Sequence, residues 1–200
     1  METRCGIWDE KDANKNPTGR RVTTNDYSSA DYYYVNKSSL PKVYGGFNTS
    51  LSWKGFDLSA IFAYSIGGYI YNRDVTMILH NGSLEGRDWS TEILRRWTPD
   101  NRYTDVPALS TTSNNWNSAS TRFLQNNSYM RLKNLTLSYN LPKQWISKLS
   151  LSSVQVYVQG DNLFTIHRNQ GLDPEQGITG ITYYRYPAMR TISGGINVSF

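Results

Sequence analysis

The last ten residues of the chain alternate between mainly apolar and small or polar side chains. One parity holds Ile192, Gly194, Ile196, Val198 and Phe200, and threonine, serine, glycine and asparagine fill the other. Because successive side chains of a β-strand point to opposite faces, this segment predicts a strand with one apolar face. That face fits either the core of a soluble sandwich or the lipid-facing surface of a transmembrane barrel. One strand alone does not decide between these two surroundings.

The same alternation recurs in four earlier segments. They lie near residues 43–53, 56–66, 127–141 and 153–166, and a strand at 190–200 follows them. Lys54-Gly55 joins the first two as a two-residue hairpin turn, with glycine where a positive φ is needed. Both arms of that hairpin are close to the ~9–11 residues with which a tilted strand crosses a bilayer. The sequence therefore predicts five long antiparallel strands.

The connections between these strands fall into two length classes. Long loops are predicted at 67–126 and 167–189, and residues 1–42 form a further loop region without a sustained period. The first long loop contains one short helix near 88–100, with Asp88 or Ser90 as its N-cap and Arg95 and Arg96 in its last turn. Outer-membrane barrels have short periplasmic turns and long extracellular loops, so the long segments are predicted to be extracellular.

The combined apolar face of these strands requires a cover. It would greatly exceed the few hundred Å² of contiguous apolar surface that a soluble monomer tolerates, and one short predicted helix cannot bury it. Mean hydropathy is low, at -0.58, and no apolar run approaches the ~18 residues of a membrane helix. Lipid is the favoured cover. The alternative is a secreted soluble β-sandwich that binds carbohydrate, which would stay monomeric in buffer without detergent.

Five strands are too few to close a barrel. Single-chain outer-membrane barrels have an even number of strands, from about eight upward. An open sheet also leaves edge hydrogen-bonding groups that lipid cannot satisfy. The sequence is therefore expected to be the C-terminal part of a larger transmembrane β-barrel.

Several stretches resemble a known family in both order and spacing. They are Ser39 to Gly68, Arg95 to Ser110, Asn126 to Pro142, Val156 to Glu175 and the terminal GGINVSF. In these the chain is similar to the C-terminal part of the SusC/RagA branch of TonB-dependent outer-membrane transporters. The resemblance covers nearly everything from Ser39 to Phe200.

This resemblance implies a barrel of about 22 strands with an N-terminal plug. It also implies location in the cell outer membrane and import of glycans or peptides together with a SusD-like surface lipoprotein. The TonB complex would act through a missing N-terminal part, and no cofactor is implied. Phe200, on an amphipathic last strand, resembles the signal that the barrel-assembly machinery recognises.

Aromatic residues supply the candidate ligand contacts. Rings in the long loops are able to stack on sugar rings or peptide side chains, and a neighbouring arginine adds a charged donor. An aromatic belt at the membrane interface, or packing within the loops, is the alternative interpretation. The candidates for ligand contact are Trp116, Tyr183, Tyr184, Arg185 and Tyr186.

A second aromatic set lies on the strands. Trp53, Tyr64 and Tyr139 share the parity predicted to face lipid. Tyrosine and tryptophan are enriched where the bilayer meets water, so these three are predicted to form a membrane girdle.

The sequence predicts no enzyme, metal site or nucleic-acid reader. His80 and His167 lie far apart without a nucleophile or carboxylate constellation, and are interpreted as ordinary loop histidines. Asp173-Pro174-Glu175 predicts a turn, since proline fixes φ. The net charge of +5 comes from scattered basic residues rather than a stripe. Cys5 is the only cysteine, so no internal disulfide framework is possible.

Overall fold

The computed structural model describes residues 6–11, 13–14, 16–24, 26–80, 82, 84, 86–110, 115–147, 151–169, 171, 173–175 and 179–200. Cys5 lies outside the described residues. The chain forms two compact units. The sheet unit comprises Ser38–Ile70, Gln125–Gly180 and Arg185–Phe200, and the loop unit comprises Met1–Lys37, Tyr71–Leu124 and Ile181–Tyr184.

The described residues form ten strands, two short α-helices and several 3-10 turns. The strands are β1 (Gly6–Lys11), β2 (Pro17–Thr24), β3 (Pro41–Trp53), β4 (Phe56–Gly67), β5 (Tyr69–Asn72), β6 (Leu124–Asn126), β7 (Tyr129–Asn140), β8 (Ser153–His167), β9 (Ile181–Thr182) and β10 (Thr191–Ser199). The helices are α1 (Arg73–Ile78) and α2 (Lys143–Ile146). The 3-10 turns are Tyr27–Ser29, Thr91–Arg95, Asn115–Asn117 and Thr121–Phe123. Among the residues that the structure describes, no helix is long and apolar enough to cross a membrane.

The sheet unit is built on one five-stranded antiparallel sheet. Its strand order is β10-β8-β7-β4-β3, and the strands are those that the alternation predicts. The register aligns the apolar positions across the sheet: Leu58 pairs with Leu51 and Leu137, and Leu137 pairs with Val158. Because directly paired residues point to the same side, the apolar side chains form one continuous face. We call this the outer face and its reverse the inner face.

The turn between β3 and β4 has the type I′ geometry of a tight hairpin. Lys54 has a φ of 47° and Gly55 a φ of 88°. Type I′ turns need positive φ at both central residues, because only then does their twist match that of the strands. The Gly55 carbonyl also accepts a hydrogen bond of 2.8 Å from the backbone N–H of Asn140. The hairpin is thereby joined to the end of β7.

The outer face is exposed. Leu137 is 42%, Val156 43% and Ile196 65% exposed, whereas a sandwich would enclose such residues in a core. The inner face instead carries hydrogen-bonded polar side chains. Asp57 accepts hydrogen bonds from Ser52 at 2.5 Å and Asn140 at 2.7 Å.

Further polar contacts cross the inner face along β7, β8 and β10. Asn134 Nδ2 donates to Asp161 at 2.8 Å, and Asn197 Nδ2 donates to Gln155 at 3.2 Å. Gln155 Nε2 in turn donates to Ser138 at 3.3 Å. Apart from apolar positions such as Ile61, the inner face is therefore lined by amide, hydroxyl and carboxylate groups, many of them hydrogen-bonded to one another.

A β-bulge in β7 sets which side chains occupy the inner face near the long loops. Ile61 pairs with Asn134 and Phe62 with Leu132, so the register skips Lys133. The same shift appears in the pairing of β7 with β8. A bulge adds one residue and re-aims the side chains beyond it. Beyond the bulge Arg131 pairs with Ala63 and Thr165, and takes the inner face.

The loop unit contains more regular structure than the sequence predicted. β1 and β2 pair as an antiparallel hairpin, Gly6 opposite Thr24, within the region 1–42 that was predicted as loop. Their sequences have no apolar parity, so the period-two pattern gives no signal there. The helix α1 was not predicted; the sequence indicated only one short helix, near residues 88–100. The pairing of β5 with β9, which is parallel, was not predicted either.

The predicted short helix is present as the 3-10 segment Thr91–Arg95. Ser90, rather than Asp88, is its N-cap, and the Ser90 hydroxyl accepts a hydrogen bond from the Glu92 N–H at 3.3 Å. Arg96 is the C-cap rather than a member of the last turn. Ile93, Val106 and Phe123 are buried in this unit.

Candidate functional site

A buried arginine organises the end of the sheet where the long loops emerge. Arg131, on the inner face of β7, is 3% exposed. Its Nε donates to the hydroxyl of Thr165 at 2.9 Å, and its Nη1 donates to Glu175 at 2.8 Å. Nη2 forms a short contact with Asp173. A guanidinium has donors on all three nitrogens, and each nitrogen of Arg131 has a partner.

The segment between β8 and β10 is shaped to meet this arginine. The Asp173 carboxylate accepts the backbone N–H of Glu175 at 2.9 Å and that of Ala188 at 2.6 Å. Asn127 Nδ2 donates to the carbonyl of Pro174 at 2.9 Å. Lys133, the bulge residue, places its ammonium 2.6 Å from Glu175. The turn predicted at Asp173-Pro174-Glu175 is thus also a cluster of ion pairs, which the sequence reasoning missed.

The environment of Asp173 favours its charged form. Burial alone would raise its pKa, but hydrogen bonds from the N–H groups of Ala188 and Glu175, together with Arg131, lower it further than burial raises it. The net effect is a pKa below the ordinary 3.8. Asp173 therefore remains ionised and paired at neutral pH.

A cavity of about 630 Å³ opens beside this cluster. One wall is the end of β8, with Phe164, Thr165 and His167, and another is the segment 185–190, with Arg185 and Arg190. Arg131 and Asp173 also line it. The His167 ring is fixed by a contact of 2.8 Å between Nδ1 and the Asn169 carbonyl. Of the residues predicted to contact ligand, Arg185 lies in this cavity.

Tyr183 and Tyr184 form an exposed aromatic pair in the loop unit. Their ring centroids are 4.2 Å apart, and the Arg73 guanidinium lies 4.8 Å from the centroid of Tyr183. Tyr184 has a positive φ of 48°, and its N–H donates to Asp74 at 3.0 Å. The two side chains are 47% and 65% exposed. The structure thus presents both rings to solvent on a backbone held by Asp74.

The other two residues predicted to contact ligand differ in setting. Tyr186 belongs to the sheet unit and is 98% exposed. Trp116 is half-buried in the loop unit, where its Nε1 donates to the Leu79 carbonyl at 2.7 Å. The Arg122 guanidinium lies 3.5 Å from the centroid of the Trp116 ring. Both Trp116 contacts are internal to the loop unit.

The residues predicted to form a membrane girdle occupy both ends of the sheet. Trp53, 64% exposed, and Tyr139 flank the Lys54-Gly55 turn, and the Tyr139 ring is 4.4 Å from that of Phe56. Tyr64 lies toward the opposite end of β4, paired with Gly45. Phe200, 92% exposed, follows β10 at the same end as Trp53.

His80 lies in a loop, as predicted, but its side chain is part of the core. It is fully buried, its Nδ1 accepts the N–H of Leu84 at 3.4 Å, and its ring packs edge-on against Trp89. Sequence spacing alone does not reveal this, because its neighbours come from a segment without periodicity. Within the described part of the chain, no group of three or more His, Cys, Asp or Glu side chains could hold a metal ion.

The curated proteins similar in sequence to this chain include several TonB-dependent receptors. No family model matches the chain. It is 34% identical over 166 residues to TonB-dependent receptor P3 of Formosa agariphila, covering 78% of this chain. It is 27% identical over 168 residues to TonB-dependent receptor SusC of Bacteroides thetaiotaomicron, covering 84% of this chain. The chain spans 16% of the length of each of these two curated relatives.

A solved structure matches nearly the whole chain. The RagAB peptide importer in its "closed-closed" state superposes with a TM-score of 0.78 and 35% sequence identity. The match covers 97% of this chain and 21% of that one. Agreement in sequence and fold over the same stretch indicates common descent rather than a shared architecture alone.

Proposed function

Because this chain belongs to the SusC/RagA family of TonB-dependent receptors, as a C-terminal segment of the barrel, we propose that it is part of an outer-membrane transporter that imports nutrients. The observation that carries the proposal is the five-stranded sheet with one exposed apolar face, found in a chain of this descent. Lipid contacts the outer face, and the hydrogen-bonded inner face borders the wet lumen. The role is transport rather than catalysis.

The partners follow from the family. A SusD-like surface lipoprotein covers the barrel and delivers nutrient, and the TonB complex drives import through the N-terminal part of the receptor. The nutrient is a glycan or a peptide. The similar RagAB structure is that of a peptide importer, which supports a peptide as one of the two candidate nutrients. No nucleic acid is involved.

The exposed tyrosines contribute to nutrient contact. Tyr183 and Tyr184 offer ring faces that stack on a sugar or a peptide side chain. Arg185 and Tyr186 extend the same segment, while Trp116 contributes from another part of the long loops. Trp53, Tyr64 and Tyr139 lie at the interface between the bilayer and water. The barrel-assembly machinery recognises the strand that ends in Phe200.

Growth of a strain that lacks the receptor containing this chain tests the transport proposal. The strain is compared with its parent on a panel of single glycans and on peptides as the only nitrogen source. We expect growth to be lost on at least one source and restored by the wild-type gene. Unchanged growth on every source contradicts transport.

Cell fractionation tests the location independently of substrate. The receptor is expected in the outer-membrane fraction and in detergent extracts. Recovery of the protein as a soluble monomer without detergent contradicts the barrel and favours a secreted sandwich. Removal of Phe200 is expected to lower the amount assembled, with Arg20→Gln as a surface control in the loop unit.

A further inference from the structure

We propose that the cavity between β8 and the segment 185–190 binds a carboxylate group of the imported nutrient. This inference rests on the proposed function, and names a chemical class of substrate and the residues that select it. Its starting point is the balance of charge on the cavity wall. Arg131 is neutralised by Asp173 and Glu175, which leaves Arg185 and Arg190 as the cationic groups facing the cavity.

Arg185 and Arg190 are available to a ligand. Both side chains are exposed, and within the described part of the chain neither forms an ion pair. A guanidinium binds a carboxylate through two parallel N–H···O bonds, which makes arginine the preferred partner for that group. Two uncompensated guanidinium groups on one cavity wall therefore favour an anionic ligand over a neutral one.

The backbone that carries these arginines is fixed rather than free. Between them, the Ala188 N–H donates to Asp173 at 2.6 Å, and the Met189 carbonyl accepts from Asn162 Nδ2 at 3.1 Å. Asp173 is itself held by the buried Arg131. The segment 185–190 is thus attached to the sheet at two adjacent residues, and the wall is organised before a ligand arrives. Preorganisation of this kind reduces the entropy lost on binding.

The remaining walls suit the organic part of such a ligand. Pro174 and Pro187 give the cavity an apolar surface next to the two arginines. A volume of about 630 Å³ is within the ~300–1,000 Å³ range of small-molecule sites. It accommodates an acidic amino-acid residue or a uronic-acid ring. Both sources share the carboxylate, and the experiment separates them.

The test uses the complete receptor that contains this chain, purified in detergent, and isothermal titration calorimetry. The peptide probes are a glutamate-rich tetrapeptide and its glutamine counterpart, and the glycan probes are tetragalacturonate and neutral cellotetraose. We expect one acidic probe to bind more tightly than its neutral counterpart. In the double variant Arg185→Gln and Arg190→Gln that acidic probe is expected to bind about tenfold to a hundredfold more weakly.

Controls separate a site from a general charge effect. Arg87→Gln removes an exposed arginine of the loop unit and is expected to leave the preference for the acidic probe intact. A shift in electrophoretic mobility between unheated and heated samples confirms that the barrel of each variant is assembled. An acidic probe bound equally well by the double variant, or no preference over the neutral probe, overturns the carboxylate site. The growth test above then decides separately whether the receptor imports nutrients at all.

Discussion

At 3% exposure the guanidinium of Arg131 is shielded from bulk solvent, and Thr165, Asp173 and Glu175 accept its hydrogen bonds. Arg131→Gln leaves the Asp173 carboxylate without its cation and leaves Glu175 paired with Lys133 alone. Removing one member of a buried pair costs about 3–5 kcal/mol, so we expect the segment between β8 and β10 to detach from the sheet. Trypsin cleavage after Arg185 in the assembled receptor measures this release and should become much faster.

A matched variant distinguishes the buried cluster from an ordinary surface pair. Arg95 also pairs with a glutamate, at 3.4 Å from Glu92, but its side chain is 61% exposed. Exposed pairs contribute only about 0–1 kcal/mol. Arg95→Gln is therefore expected to leave cleavage after Arg185 unchanged. Equal cleavage of wild type and the Arg131 variant would show that other contacts hold the segment.

The depressed pKa of Asp173 predicts a direction of pH dependence. A carboxyl group whose pKa is lowered by folding contributes stability above its ordinary pKa of 3.8, and that stability is lost as pH falls through the lower folded value. Hydrogen exchange of residues 179–190, corrected for intrinsic rate, is expected to stay slow down to about pH 4 and to rise below it.

Asp173→Asn is expected to give fast exchange already at neutral pH, with a weaker dependence on acid. Amides of β4 serve as an internal reference in the same sample. A rise in wild-type exchange that begins well above pH 5 would mean that burial outweighs the hydrogen bonds at Asp173.

Sequence reasoning reached only part of this site. Arg185 was found because it stands among tyrosines in a long loop. Arg131 was not, because its partner Asp173 is 42 residues away and period-two alternation assigns a face without identifying contacts. The usable signal was an arginine on the same parity as Leu135 and Leu137, because a charge on an apolar face requires either a buried partner or a shift of register.

At the scale of elements, the turn between β3 and β4 can be tested by a paired substitution. Gly55→Ala places a side chain at a φ of 88°, and its Cβ would lie 3.1 Å from the Asn140 carbonyl oxygen. Left-handed backbone costs a non-glycine residue about 1–2 kcal/mol. Exchange of the hairpin amides next to the turn is expected to be about fivefold faster or more.

Lys54→Asn is the control at the neighbouring position. Asparagine is favoured at the first central residue of a type I′ turn, so exchange in the hairpin should be unchanged or slower. Faster exchange in both variants would indicate that the backbone at this turn does not require its positive φ values.

The elements differ in how far sequence could predict them, and the reason is the length of the pattern. β3, β4, β7, β8 and β10 alternate over enough residues for a face to be recognised. β5, β6 and β9 have two to four residues each, too few for a period. The bulge at Lys133 also escaped notice, since alternation continues on either side of it. A bulge is defined by the partner strand, which a single segment does not show.

For the whole molecule, the two faces of one sheet have opposite requirements, and neighbouring residues of β7 allow both to be tested. Leu135 belongs to the outer face, where it pairs with Ala60 and Gly160, and Thr136 belongs to the inner face, where it pairs with Ser59 and Gln159. In a bilayer an arginine on the lipid face costs about 2–4 kcal/mol near the midplane, whereas substitutions in the lumen are tolerated. Leu135→Arg is expected to reduce assembled receptor severalfold in outer-membrane fractions, and Thr136→Arg to leave it close to wild type. Quantitative immunoblotting of unheated and heated samples measures the amount of assembled receptor for both variants. If Thr136→Arg were the more damaging change, the outer face would be the protein interior and the inner face the lipid-exposed surface.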